Sequence, residues 1–268
     1  MKGRLAIIIT LTLLISGFYY YFLTYRPSER PVTYIPKSNS IHLSGNPEIS
    51  IKNVEAKVVY FSPSDLYDQI NWDWKKSLEK TFNIEKDFFR FHLGNTINFS
   101  VYPDIIRGRN EHQFYDGENT KNGNPNALIS AREEVIKRIF SDSGDLYLSS
   151  FVKNRPNTYE ILIIIYEGTG ASAMIYQKNA VEGPDVFKIE TDGPPAIILS
   201  SAFLHSPYYL EFGPTILAHE ISHSFGLSDS YDVETGKIFG SDLMGEGRRR
   251  TPNATYLSTE NKKLLGSE

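Results

Sequence analysis

The 268-residue chain contains no cysteine. That absence excludes a disulfide-stapled scaffold, a thiolate zinc site, a cysteine nucleophile and a lipid anchor carried on a cysteine. A strong charge of one sign is also missing. Lys and Arg number 28 against 32 Asp and Glu, a formal charge of -4, so nothing in the balance calls for a nucleic-acid partner. The lone basic cluster, Arg248-Arg249-Arg250, reads as a solvated loop. There is no glycine-rich phosphate loop: Gly168-Thr-Gly170 is too short for one and reads as a turn between strands. Internal repeats and low-complexity tracts are lacking too. The 13% of aromatic residues argues for a packed core rather than disorder.

One hydrophobic run is long. Lys2 and Arg4 precede an uncharged stretch from Leu5 to Tyr25, and charge returns at Arg26. A helix needs about 20 apolar residues to cross a hydrocarbon core of about 30 Å, and this run just reaches that length. The basic start suits a cytoplasmic end, and Tyr19, Tyr20 and Tyr21 suit the interfacial belt. We therefore expect residues 1–25 to form a transmembrane anchor. The alternative is a cleaved signal peptide, but bulky tyrosines stand where a small-residue cleavage site belongs. Either way the remainder is exported, as a membrane-anchored domain outside the cell or as a secreted one. Residues 26–48, with Pro27, Pro31, Pro36 and Pro47, read as an extended stalk.

From residue 49 the pattern becomes globular. Ile51–Phe61 alternates as a strand, and Pro63 to Phe82 reads as a helix with Leu66, Ile70, Trp74 and Leu78 four apart. Ile97–Tyr102 is a second strand, and the polar stretch Pro103–Pro125 a long loop. Asn126–Phe140 is a helix. Tyr159–Tyr166, apolar throughout its middle, is a buried central strand. Ala171–Gln177 is an edge-like strand and Ala196–Phe203 another apolar one. Strands alternating with helices and then running together predict an α+β domain over 49–268, α/β-like in its N-terminal part, with helices packed on a mixed twisted sheet.

The chemistry follows the last strand. Thr215 to Asp232 contains His219-Glu220-Ile-Ser-His223-Ser-Phe-Gly226-Leu-Ser-Asp229, the pattern HExxHxxGxxD. Four residues apart on a helix, His219 and His223 share a face one turn apart and can hold one metal ion. Glu220 is swung around the helix, outside that pair. From there it can take a proton from a water that the metal has acidified. Ile216, Leu217, Ile221 and Phe225 supply the helix with an apolar side, and Pro214 suits its first turn. Gly226 can take the positive φ that ends a helix, so that the chain returns Asp229 as a third ligand. Three protein ligands on Zn2+ leave a position open. Asp232 and Asp242 are alternatives to Asp229, or candidates to hold calcium.

These residues resemble the metzincin zinc peptidases, whose zinc motif stops at its glycine and is followed by a methionine turn. Ser241-Asp-Leu-Met-Gly245 is similar to that turn, with Met244 as its methionine. An aspartate third ligand followed by tyrosine resembles snapalysin and the immune inhibitor A peptidases. The fuller string Gly226-Leu-Ser-Asp-Ser-Tyr-Asp232 with Asp242-Leu-Met-Gly245 is closer to the latter. The resemblance covers residues 215–245. It implies a metzincin-like zincin fold, with the active-site helix and methionine turn in a C-terminal subdomain, and a zinc endopeptidase that takes protein or peptide substrates. It also implies that Ala171–Gln177 is the edge strand that pairs with an extended substrate. Two features depart from the family. Glu246 stands two residues after the methionine, where astacins and serralysins have tyrosine, leaving Tyr231 or Tyr256 to reach the site. The large extra domains of immune inhibitor A are lacking.

Other polar residues are given structural roles. His42, His92, His112 and His205 stand alone without metal spacing. Ser222 and Ser224 lie on the zinc helix without the partners of a nucleophilic triad. The rival to an enzyme is an anchored binding or scaffold protein whose zinc site is structural; intact Glu220 favours the enzyme.

Overall fold

The alternating strand of residues 53–62 lies inside the main sheet, with a strand paired on either side. The structure is a computed structural model that describes residues 40–70, 73–94, 97–116, 125–143, 150–151, 155–168, 172–177, 189–191, 196–205, 211–232 and 235–267. All of these lie in one unit, Pro36–Glu268. The expected anchor (1–25) and residues 26–39 of the expected stalk (26–48) lie outside the described residues. Among those described, no helix is long and apolar enough to cross a membrane.

The elements in chain order are β1 (Ile41–Leu43), β2 (Asn46–Ile51), β3 (Asn53–Ser62), α1 (Trp74–Leu93), β4 (Asn98–Arg107), α2 (His112–Asp116), α3 (Pro125–Ser143) and β5 (Ser150–Phe151). They continue with β6 (Thr158–Tyr166), β7 (Ser172–Gln177), β8 (Ile189–Thr191), β9 (Ala196–Ser200), α4 (Ala202–His205), α5 (Gly213–Ser224) and α6 (Thr259–Leu264). The main sheet runs β4-β3-β6-β9-β7-β8, with β5 also on β6. β3 pairs in parallel with both β4 and β6, and β6 in parallel with β9. β7 lies antiparallel to β9. The fold is therefore α+β with a mixed sheet and packed helices.

Period-2 alternation divides the sheet into two faces. Val54, Ala56, Val58 and Tyr60 of β3 join Ile161, Ile163 and Ile165 of β6 on one face. There they meet Trp74, Leu78 and Phe89 of α1 and Leu217, Ile221 and Phe225 beside α5. Val59, Phe61, Leu162, Ile164 and Tyr166 point the other way, onto Ala131, Val135 and Ile139 of α3. Each fully buried Ile, Leu or Phe contributes roughly 1.5–3 kcal/mol by leaving water. Helices on both faces leave the central strands buried, which is why β6 reads as a continuous apolar run.

Several boundaries differ from expectation. The folded domain begins before residue 49: β1 and β2 form an antiparallel hairpin with Ile41 buried opposite Ile51. Its backbone docks through His42 N–H to the Leu265 carbonyl (3.1 Å) and Ser44 N–H to the Phe225 carbonyl (2.8 Å). The expected 63–82 helix is replaced by a turn at Ser64–Leu66, a tight helical turn at Tyr67–Gln69, and α1 from Trp74 to Leu93. Ile70 has extended backbone, with ψ of 130°, so apolar spacing persists across a break in the helix. β4 extends to Arg107, and α2 occupies part of the expected loop. β9 ends at Ser200, whose hydroxyl accepts the Ala202 N–H (3.2 Å) and starts α4. Finally, β7 is not the last strand, because β8 pairs in parallel outside it at Ile175–Gln177. An apolar strand reads alike at an edge and one position in, so the sequence did not separate the two.

Candidate metal centre

The site is built on α5. Pro214 stands in its first turn. Leu217, Ala218 and Ile221 bury its inner side, in one core cluster with Leu243 and Met244. The helix ends at Ser224 in a Schellman arrangement. Gly226 N–H donates to the His223 carbonyl (2.9 Å) and Leu227 N–H to the Ser222 carbonyl (3.2 Å). Gly226 takes φ +88°, the left-handed conformation that the motif requires of it. Tyr159 of β6 fixes the same end by donating its hydroxyl to the Ser224 carbonyl (2.8 Å).

This ending aims the first pair of candidate ligands. His223 Nδ1 donates to the Leu227 carbonyl at 2.7 Å, just past the glycine. His219 Nδ1 donates to the Leu243 carbonyl at 3.0 Å, in the turn that holds Met244. Both imidazoles thus carry their proton on Nδ1 and turn a bare Nε2 inward. The two Nε2 atoms are 3.1 Å apart, and each lies 3.2 Å from Asp229 Oδ1. With both Nδ1 protons committed to carbonyls, Asp229 Oδ1 is a buried acceptor without a donor. Three lone pairs converge on one point, which costs free energy unless a cation occupies it.

The triangle also has the right size. Tetrahedral zinc, with bonds of about 2.0–2.1 Å, has ligand–ligand edges of about 3.3 Å. His219, His223 and Asp229 form a group that could hold a metal ion. Electrostatics agree. Burial lowers the pKa of His223, but the nearby Asp229 carboxylate and the charge of Glu220 outweigh it, so the group is raised. Burial raises the Asp229 carboxyl, but His219 and His223 hold it well below the usual range. The pocket is built to keep a negative oxygen beside positive charge.

The remaining motif residues fall around this group. Glu220 is buried on the same helix and stands outside the ligand triad. Met244 is fully buried, and its carbonyl accepts the Ser230 N–H (2.8 Å), which ties the methionine turn to the ligand loop. Gly245 is needed there: a Cβ would stand 2.0 Å from the Gly240 carbonyl oxygen. The alternatives to Asp229 are used elsewhere. Asp242 Oδ2 accepts from Asn261 Nδ2 (2.7 Å) and Ser258 N–H (3.2 Å), and Asp232 Oδ1 from Thr235 N–H (2.9 Å). Neither joins a metal-ligating group among the described residues, so neither supports the calcium expectation. The Ser222 and Ser224 hydroxyls donate within α5, to the Ala218 (2.8 Å) and Ile221 (2.6 Å) carbonyls.

No family model matches the chain, and no curated protein sequence matches it. Among solved structures, the chain is similar to metalloproteinase-II from Bacteroides fragilis, at 16% identity and a TM-score of 0.39. That match covers 78% of this chain and 51% of the other, so the chain spans about half the length of that protein.

Of the two tyrosines expected near the site, Tyr231 reaches it. Its ring stacks on His219 with centroids 6.1 Å apart, whereas the Tyr256 hydroxyl pairs with Ser241 (2.7 Å). Burial, together with the charge of Asp229, raises the Tyr231 pKa and keeps the phenol protonated; Arg248 opposes the shift. Arg248 lies against that ring, 3.5 Å from its centre, rather than in solvent as the sequence suggested. No spacing rule singles out Arg248 within the Arg248-Arg249-Arg250 run. Elsewhere, His42 Nδ1 donates to the Leu43 carbonyl, His92 is buried on α1, and His112 pairs with Asp65. The side chain of His205 lies outside those described.

Proposed function

We propose that this chain is a zinc-dependent endopeptidase of the metzincin type, with His219, His223 and Asp229 as ligands and Glu220 as general base. The observation that carries the proposal is the convergence of two bare imidazole nitrogens and an undonated carboxylate oxygen, 3.1–3.2 Å apart. Two imidazoles and a carboxylate suit zinc better than a hard, oxygen-seeking cation. Zinc, when bound, supplies a Lewis acid that acidifies water and polarises a scissile carbonyl. The Leu243 and Leu227 carbonyls orient the two histidines. Glu220 takes the proton of the attacking water and passes it to the leaving amine. The chain acts outside the cytoplasmic membrane, held by residues 1–25 through the stalk that follows, and takes protein or peptide substrates.

A binding protein with a structural zinc site is the second reading. Structural sites close the fourth position with a protein ligand. Among the described residues no fourth histidine or carboxylate joins the three, which favours the enzyme. The deciding experiment measures zinc content and quenched-peptide cleavage by the full chain beside Glu220→Ala. Stoichiometric zinc in both, with cleavage by the parent alone, is the expected result. Base catalysis contributes about 10²–10⁴-fold, which sets the size of the loss. Zinc in the parent without cleavage across a broad peptide library supports the structural site, and a folded parent that takes up no zinc sinks both readings.

A further inference from the structure

Asp229 lies between Gly226 and the isolated bridge of Tyr231 with Ile238, on a stretch with no helix or strand to fix its side chain. The Ser230 N–H bond to the Met244 carbonyl anchors the backbone beside it. Two residues on, Tyr231 stands close enough that, beyond burial, the Asp229 charge raises the pKa of its phenol. The same ring stacks on the first ligand, His219, at an interplanar angle of 28°. Tyr231 is therefore packed on one of the three candidate ligands, and whatever fixes its ring helps to fix that imidazole.

Arg248 meets that requirement. Its guanidinium carbon lies 3.5 Å from the centre of the Tyr231 ring, well inside the about 6 Å at which cations and aromatic faces attract. Its Nη1 donates to the Gly245 carbonyl at 2.6 Å. Gly245 closes the turn whose Leu243 carbonyl orients His219. The planar fork of arginine can stack and donate at once, which an ammonium group cannot. Charge alone does not explain the placement, since a cation beside a metal ion is repelled by it. Its neighbours in sequence differ: Arg249 is exposed, and Arg250 pairs with Glu246 (2.9 Å).

We propose that Arg248 is a positioning residue for the metal centre, clamping Tyr231 against His219 while tied to the methionine turn. The proposal rests on the metal-site reading above and adds to it the residue that sets ligand geometry. The test titrates the metal-free full chain with Co2+ and follows its visible absorption. The proteins are the parent, Arg248→Lys, Arg248→Met, Tyr231→Leu and the double variant Arg248→Lys/Tyr231→Leu. Both Arg248 variants weaken binding by about 10- to 100-fold, the usual effect of losing a partner that orients a ligand, and alter the absorption band. Thermal unfolding of the metal-free variants stays close to that of the parent. In the Tyr231→Leu background, Arg248→Lys adds little further loss, because the ring that links Arg248 to His219 is already gone. An equal loss in both backgrounds overturns the proposal, as does parent-like binding by both Arg248 variants. Tighter binding by Arg248→Met with parent-like binding by Arg248→Lys overturns it too, because charge alone would then account for Arg248. A parent that takes up no cobalt removes the metal site itself, and this proposal with it.

Discussion

His219 and His223 face each other Nε2 to Nε2 across 3.1 Å, and neither nitrogen carries the proton that a hydrogen bond would need. With Asp229 Oδ1 3.2 Å from both, the arrangement is at odds with itself unless a cation fills it. Zinc bound only by the folded state stabilises the protein by mass action. A chelator should therefore lower the melting temperature of the parent, and added zinc should restore it. Asp229→Ala and His223→Ala should melt at the same temperature with chelator or zinc. Their zinc affinity should fall by more than the about 10- to 100-fold that outer partners cost. Calorimetry with and without chelator checks this; a parent that ignores the chelator would contradict it.

Gly226 links the helix end to the ligand loop. Its φ of +88° strains any L side chain, and a Cβ there would lie 3.0 Å from the Ser44 carbonyl oxygen. Gly226→Ala should destabilise the metal-free protein by about 1–2 kcal/mol, the usual penalty of a left-handed residue. It should also weaken zinc binding, because the Leu227 carbonyl that orients His223 lies one residue on. Urea unfolding and a zinc titration measure the two effects separately. Parent-like values in both would show that the turn tolerates a side chain.

The clustering of the candidate site was more legible in the sequence than the element boundaries around it. His219, His223, Gly226 and Asp229 lie within eleven residues, where helix geometry and one turn fix their relation. The central strand was legible too, since burial on both faces leaves an unbroken apolar run at Ile161–Ile165. Arg248 and Tyr231 were harder to connect. Their contact joins a turn after the methionine to the ligand loop, and no local periodicity encodes it. The false start of the helix at Pro63 has a similar cause: Leu66, Ile70 and Trp74 keep helical spacing although Ile70 is extended. The covering of β7 by β8 depends on a pairing between separate segments, which neither segment records.

His92 is buried on α1 against Phe88, with ring centroids 4.4 Å apart. Burial, aided by the charge of Lys262, pushes its pKa down to about 4 against the opposing hydrogen bond to the Thr255 backbone. As pH falls below about 6.5 the unfolded chain takes up this proton while the folded protein does not. Stability from a neutral His92 is thus present near pH 7 and is lost progressively down to about pH 4, by roughly 3 kcal/mol in all. His92→Gln keeps a donor for Thr255 and cannot titrate. Between about pH 7 and pH 5, it should lose less stability than the parent in urea unfolding of the metal-free proteins. Equal losses would show that His92 is not held neutral.

Glu85 should act in the opposite direction. It is buried on α1, in line with the apolar residues Phe82 and Phe89, and its Oε2 has no hydrogen-bond partner. Burial pushes its carboxyl well above the usual range, so the folded protein keeps a proton that the unfolded chain gives up. Above about pH 4.5 the folded state binds more protons, and stability falls as pH rises towards the raised pKa. Glu85→Gln has nearly the same shape and no proton to lose. Near pH 7 it should be more stable than the parent, with a higher melting temperature. Lowering the pH to about 4 should erase the pH-dependent part of that gain, because Glu85 is then neutral in both states. Urea unfolding of parent and variant across that range gives the difference directly. A difference independent of pH would show that Glu85 ionises in the folded protein as it does in water.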